Sequence, residues 1–490
     1  MIDHDRLLDR CSRPSANTTV LPTDTPRPFH GNDQWRIGPE RNPDPAHDLP
    51  AVGGESMPRE LRPKQLDQDG GIAVIGWPHF DHPSQSFPLA GNAPSRIRTE
   101  SCAVTVVPAP PRNRPALWPR LPSVAVYVIS DLHLDEDDDA RLFRDDRQGR
   151  ALASLCEQIA HDGAELVLLG DILDLTAMTP PERGLRRFFA RLAVEAEPRP
   201  RRPIAALVRA GARANPHAID ALARLSERVR VTLVPGNHDH HLASAEGGAA
   251  LAAVGLRVER TRSVVRTIAG RTVVLQHGHE HDPGNAEPAG GGEVMTQALH
   301  QAVIPFLRAH GPQRHVRMDA ARIVALRPEE AVISVLERWL DPKTFRRFFR
   351  AFLRLLAVNR KLPPPAAWLA GFVSVDRVRT VAERQDRLWE RTGDTAIHAL
   401  QEKRSLPHAA PRPDVVVFGH THVLDWAVQQ RPDGDGLYVN LGTWTERCFD
   451  PSSPPDRSLP VLVLEDTRGR LRATLSDLAQ DGAELQRFET

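Results

Sequence analysis

The sequence predicts an α/β layered fold. Three observations carry that prediction. From Val124 onward, apolar segments of strand length alternate with amphipathic helical stretches. Short clusters of His, Asp and Asn close several of those segments. Between residues 291 and 409 the alternation gives way to helical periodicity alone. At 490 residues the chain exceeds what one hydrophobic core usually organises, so one large domain with additions, or two domains, is expected.

Residues 1–120 are rich in Pro, Asp, Arg, Gly and Asn and show no sustained period of 2 or 3.6. Such a segment cannot offset its ordering entropy, so a disordered Pro-rich extension is expected, with GIAVIGW (Gly71–Trp77) as a short strand that docks on the domain. A start site assigned too far upstream explains the same composition. The first part of the domain, 121–290, opens with the strand VAVYVIS and continues with a helix through Leu152, Leu155, Cys156 and Ile159. The strand ELVLLGD, a helix around Ala218–Leu225, the strand VRVTLVPG, a helix near Ala243–Val254 and the strand TVVLQHG follow. Residues 291–409 read as an inserted helical cap. In 410–480 the strand rhythm resumes with PDVVVFGHTH, and DWAVQQ, GLYVNLGTW and LPVLVLED are expected to finish a second sheet. Residues 481–490 read as a weak polar helix or tail.

Bulk properties exclude several classes. Sixty-three Lys+Arg balance sixty-three Asp+Glu, so no global basic field makes nucleic acid the default partner. Only Lys64, Lys343, Lys361 and Lys403 are lysines, which with abundant Ala and Pro suggests a GC-rich bacterial genome. Cys11, Cys102, Cys156 and Cys448 lack CxxC spacing, which argues against a disulfide framework or zinc ribbon and for a reducing cytosol. The N-terminus MIDHDRLLDRCSR has no basic region followed by an apolar stretch, and no run approaches the ~18 apolar residues of a spanning helix. A cytoplasmic protein is expected, peripheral at the inner membrane at most.

Five clusters supply chemistry, in this order: Asp131-Leu132-His133, Gly170-Asp171-Ile172-Leu173-Asp174, Gly236-Asn237-His238-Asp239, His277-Gly278-His279 and Gly419-His420-Thr421-His422. Hard oxygen ligands mixed with imidazole nitrogens suit a pair of divalent first-row metals. Asp131 and His133, two apart after a strand, can be aimed at one ion, although for this pair taken alone a capping Asp with a surface His is the more common explanation. Asp171 projects beyond its strand, where one carboxylate can bridge two cations, and Asp174 is placed to orient an imidazole. Asn237 offers a neutral oxygen ligand, and His238 a general acid or phosphate-stabilising group. Both Gly278-His279-Glu280-His281 and Gly419-His420-Thr421-His422 fit a G-H-x-H pattern. The second follows the apolar strand VVVF and leads into further strand, so it is taken as the terminal pair and His277 as the isolated His.

Together these residues resemble the calcineurin-like metallophosphoesterase family, whose ordered pattern is D-x-H, G-D-x-x-D, G-N-H-D/E, a lone His in H-G-H, and G-H-x-H. The resemblance covers roughly 123–290 and 410–466 and implies a four-layer α-β-β-α metallophosphoesterase sandwich with a binuclear site at the sheet edges. It puts Asp131, His133 and His422 on a first metal, Asn237, His277 and His420 on a second, Asp171 between them, and His238, supported by Asp174, before the substrate. Mn²⁺ is the first expectation, with Fe or Zn as alternatives, because such ligands do not select sharply. The cations would lower the pKa of a bridging water for in-line attack on phosphorus, so no Ser or Cys nucleophile is required.

Within the cap, Phe345, Phe348, Phe349, Phe352, Leu353 and Leu356 form an apolar stripe edged by Arg346, Arg347, Arg350 and Arg354. It reads either as a helix packed on the cap core or as a surface for acyl chains or a membrane, with the arginines meeting phosphate. The cap's placement is similar to that in the UDP-2,3-diacylglucosamine hydrolases, whose third motif usually has Arg where this chain has His238, and whose cap is shorter. Three readings compete: a phosphatase or pyrophosphatase on a small, nucleotide-linked or lipid-linked phosphate ester, a phosphodiesterase or nuclease, and a non-catalytic scaffold. The complete ligand pattern disfavours the last.

Overall fold

The structure, a computed structural model, describes residues 125–136, 140–286, 290–310, 316–327, 329–402, 404–406, 412–448 and 455–489. The expected extension over 1–120 and its strand Gly71–Trp77 lie outside the described residues.

The first sheet begins with β1 (Val126–Ile129), β2 (Glu165–Leu168), β3 (Val231–Leu233) and β4 (Glu259–Arg260), all parallel to their neighbours. The second contains β5 (Val264–Ile268), β6 (Arg271–Leu275), β7 (Val415–Phe418), β8 (Leu424–Gln429) and β9 (Gly436–Leu441), in the order β5-β6-β7-β9-β8. Three further strands, β10 (Pro460–Thr467), β11 (Arg470–Asp477) and β12 (Ala483–Glu489), extend the first sheet antiparallel from β1. Two expectations are corrected here. LPVLVLED pairs with β1 in the first sheet, not the second, with Tyr127 opposite Val463. Residues 483–489 are a strand and not a helix or tail, because β11 offers them a free edge over alternating positions.

Strands that read as unbroken apolar runs divide their side chains by the period of 2. Val126 and Val128 of β1, Val167 of β2 with Leu169 just after it, and Val415 and Val417 of β7 meet between the sheets. Ile129, Leu166 and Leu168 face a helical layer made by α1 (Arg150–Asp162), α3 (Ile204–Ala214), α4 (Pro216–Ser226) and α5 (Ala245–Ala253). On α1 it is Leu152, Leu155, Cys156 and Ile159 that turn inward, one helical face. Val416 and Phe418 face Ala396, Ala399 and Leu400 of α12 (Val375–Glu402). The result is four layers, helices, sheet, sheet and helix, with both sheets covered on both faces.

The cap contains α6 (Gly291–Ala298), α7 (Ile304–His310), α8 (Val316–Val324), α9 (Val332–Trp339), α10 (Pro342–Asn359) and α11 (Pro364–Ala370). Its boundary differs from 291–409: the end of α12 is the outer layer of the second sheet, while α2 (Leu185–Leu192) gives Leu185, Phe188, Phe189 and Leu192 to the cap core. Helix α10 starts at Asp341, whose carboxylate accepts from Lys343 N and Thr344 N at 3.0 Å each, with Pro342 following. Its Phe345, Phe348, Phe349 and Phe352 are buried with Phe188 and Phe306. Of the two readings of the stripe, packing on the cap core is the one these phenylalanines follow, with Arg346, Arg347 and Arg350 exposed and Arg354 half-buried. Among the described residues no helix is long and apolar enough to cross a membrane.

Candidate metal centre

All five clusters follow the carboxyl ends of parallel strands, β1, β2 and β3 in one sheet and β6 and β7 in the other, so the loops converge on one edge. Their backbone is unusual. Asp131, His133, Asp171, His420 and His422 have φ of 57°, 47°, 52°, 69° and 58°, and make up five of the ten non-glycine residues with positive φ among those described. Such conformations cost on the order of 1–3 kcal/mol each and persist only where neighbours enforce them. Here Thr443 Oγ1 and Trp444 N donate to Asp131 O at 2.9 and 3.1 Å, His133 N donates to Asp171 O at 2.9 Å, and His420 N donates to Asp131 Oδ2 at 3.1 Å. Close approach also excludes side chains at two glycines. A Cβ on Gly170, at φ 89°, would fall on the His277 ring, and one on Gly236 would strike the Asp171 carboxylate.

Two ligand sets result. Asp131, His133, Asp171 and His422 present ligand atoms within 4.8 Å of one another, and so do Asp171, His277 and His420. Asp171 belongs to both. Asn237 Oδ1 lies 3.1 Å from His420 Nδ1, beside the second set. The outer nitrogens are fixed by other partners. His277 Nδ1 donates to Leu169 O at 2.8 Å, which turns Nε2 toward Asp171 Oδ2 at 3.1 Å, and His133 Nδ1 meets Asp174 Oδ2 at 3.1 Å. Asp174 Oδ1 accepts from His238 Nδ1 at 2.9 Å and from Ala177 N at 2.8 Å. The third grouping, His133, Asp174 and His238, is accounted for by these hydrogen bonds.

Charge follows burial. Asp131 and Asp171 are enclosed, which alone would raise their pKa values, but facing imidazoles hold both well below the ordinary carboxylate range. Burial favours neutral His277, yet Asp171 and Asp131 outweigh it and push that group up to about 10. His238 is raised against its burial by Asp174 and Asp171. His422 moves the other way, down to about 3, through burial and the Arg327 guanidinium.

The structure thus brings together Asp131, His133, Asp171, Asn237, His277, His420 and His422, with His238 and Asp174 alongside. Of the competing G-H-x-H segments, His420 and His422 enter the ligand sets, whereas His279–His281 form a short 3₁₀ turn. Sequence reasoning missed three residues. Asp239, pushed up to about 6 by burial and Asp171, ties two loops by accepting from Gly236 N at 2.7 Å and Ile172 N at 2.8 Å. Asp282 accepts from His420 Nε2 at 3.0 Å, and Arg327 from the cap reaches His422 Nδ1 at 3.0 Å. The position of Asp239 in its motif was a usable signal. Asp282 and Arg327 carried none.

Residues 124–291 match the family model described as calcineurin-like phosphoesterase, a span that ends before His420 and His422. No curated protein matches the chain. Similar solved structures include a single mutant of Vps29 from Entamoeba histolytica, 11% identical, covering 75% of this chain and 99% of that one with a TM-score of 0.27. A conserved uncharacterised protein of Streptococcus pneumoniae, described as a predicted phosphoesterase, is 9% identical over 76% of this chain and 99% of its own, with a TM-score of 0.26. Vacuolar protein sorting 29 of Cryptosporidium parvum is 14% identical over 75% and 98%, with a TM-score of 0.26.

Proposed function

We propose that the protein hydrolyses phosphate esters or pyrophosphates at a centre of two divalent cations. The carrying observation is the position of Asp171, whose carboxylate belongs to both ligand sets. The donor atoms fit such ions. Asp131 Oδ1 and His277 Nε2 are buried and make no hydrogen bond, although they lie 3.2 Å from His422 Nε2 and 3.1 Å from Asp171 Oδ2. Buried polar atoms that converge without hydrogen-bond geometry are what ligands around a cation present. Asp131, His133, Asp171 and His422 would hold one cation, and Asp171, Asn237, His277 and His420 the other, Mn²⁺ being the first choice.

When bound, the cations would acidify water and draw off charge developing on the phosphoryl oxygens. The chain's own groups do the rest. Asp174 holds His133 and His238 in fixed orientations through their Nδ1 atoms. His238, kept protonated by Asp174 and Asp171, passes a proton to the oxygen that leaves phosphorus as the P–O bond breaks and water supplies the new one. Asp282 and Asp239 keep His420 and the loop beside Asp171 in place.

Substrate class is read from the inserted cap, which places Arg327 beside His422, and a lipid-linked or nucleotide-linked phosphate ester suits such a site better than an extended nucleic acid. The test is hydrolysis of a phosphate monoester, a phosphodiester and a UDP-linked pyrophosphate with added Mn²⁺, alongside metal content. Mn²⁺-dependent turnover that disappears in Asp171→Ala supports the reading, and the preferred ester names the reaction. A chain that retains no divalent metal overturns it.

A further inference from the structure

Of five exposed large apolar side chains among the described residues, all but Val428 of β8 lie in one stretch. Leu362, Trp368, Leu369 and Phe372 are 45%, 57%, 56% and 56% exposed, and all belong to the stretch that leaves α10 and forms α11. Its side chains pack on one another. Trp368 and Phe372 pack edge to face with ring centroids 4.7 Å apart, and the Arg354 guanidinium sits 5.7 Å from the Phe372 ring centroid. Asn359 fixes its base, since Asn359 Oδ1 accepts from Arg183 N at 3.0 Å and Asn359 Nδ2 donates to Arg183 O at 2.9 Å.

Charge along the segment that carries the patch has one sign. From Pro342 to Val375 the chain carries Lys343, Arg346, Arg347, Arg350, Arg354, Arg360 and Lys361 and no acidic residue, in a protein whose total charge is zero. Arg346, Arg347, Arg350, Arg360 and Lys361 are exposed. Helix α2 adds Arg187 and Arg191 beside Arg354, and Arg191 is depressed by burial and by those two cations.

We infer that the corner formed by α10 and α11 docks the protein on an anionic phospholipid surface. Trp368, Leu369 and Phe372 enter the interfacial region, and the surrounding Arg and Lys side chains meet lipid phosphates. An aromatic tip ringed by cations matches the boundary between acyl chains and charged headgroups. A second copy of the chain is the poorer occupant, because a two-fold contact would set this cationic cluster against itself. None of these side chains belongs to the ligand sets, and the test requires no turnover.

The experiment is flotation of the full chain with vesicles of phosphatidylcholine alone or mixed with phosphatidylglycerol. The protein should float with the anionic vesicles at low salt, stay behind with the neutral ones, and be released by salt. The double variant Trp368→Ser, Phe372→Ser should lose binding at least roughly tenfold. Arg360→Gln and Lys361→Gln should each weaken it roughly fivefold. These side chains are exposed, so an unchanged melting temperature confirms folding. Failure to float, flotation equal in all variants, or a dimer in light scattering that the double variant disperses would each overturn the assignment.

Discussion

The metal centre buries Asp131, His133, Asp171, His277 and His422, and the cap core buries Phe306, Phe345, Phe348 and Phe352 just as completely, yet the two are held by opposite means. In the cap, burial itself stabilises, at roughly 25 cal/mol per Å² of apolar surface, and the phenyl rings lie on ordinary helix. At the centre, burial opposes every ionised group, and several ligands stand on left-handed backbone. The cap therefore shows what stability alone selects, and the centre what is retained against it.

Substitutions can break or sharpen this contrast. Asp171→Ala should have the largest effect, abolishing turnover and metal retention together. Asp174→Asn, which acts through His133 and His238, should lower metal affinity only by roughly 10–100-fold. Similar losses in the two variants, by calorimetric titration with Mn²⁺, would remove the distinction between ligand and support. His238→Gln should reduce kcat by about 10²–10⁴ while metal binding holds. Because His238 acts protonated and its pKa is raised, wild-type kcat should fall as pH rises through that pKa, and the variant should lack this limb.

Phe348→Ala tests the other side. Loss of a fully buried ring should cost about 3–5 kcal/mol, seen as a lower midpoint in urea, with metal content per folded molecule unchanged. A smaller term separates strain from chemistry. His422 has φ 58°, so His422→Gly should be more stable than His422→Ala by about 1 kcal/mol in chelated protein. Equal melting of the two would show that the loop stores no backbone strain.

The smallest effect belongs to Cys156, on the apolar face of α1, where burial pushes the thiol up to about 12 from an ordinary 9.0. Above pH 9 the unfolded chain sheds a proton that the folded chain keeps, so stability should decline from pH 9 toward pH 12, less steeply in Cys156→Ala. Native protein should also resist thiol reagents at neutral pH until it unfolds.

Much of this organisation is legible in residue order. Strand-length apolar runs, the turn residues after them and the inward face of α1 are set by interactions a few residues apart, so VAVYVIS, ELVLLGD and their terminal His, Asp and Asn groups could be placed before any contact was known. Tertiary structure decided the rest. LPVLVLED has the same local preference for either sheet, and only the edge of β1 selected it. The stripe of α10 is equally suited to a membrane or a core until Phe188 and Phe306 arrive against it. Asp282 and Arg327 reach His420 and His422 across 138 and 95 residues, without a motif to announce them. The sequence by itself thus determined which groups stand at the strand ends, because backbone period and turn chemistry are local. Which groups face each other, and the left-handed backbone that aims five of the ligands, depended on contacts between distant segments, because a partner far along the chain is chosen by competition among all the surfaces the fold brings near.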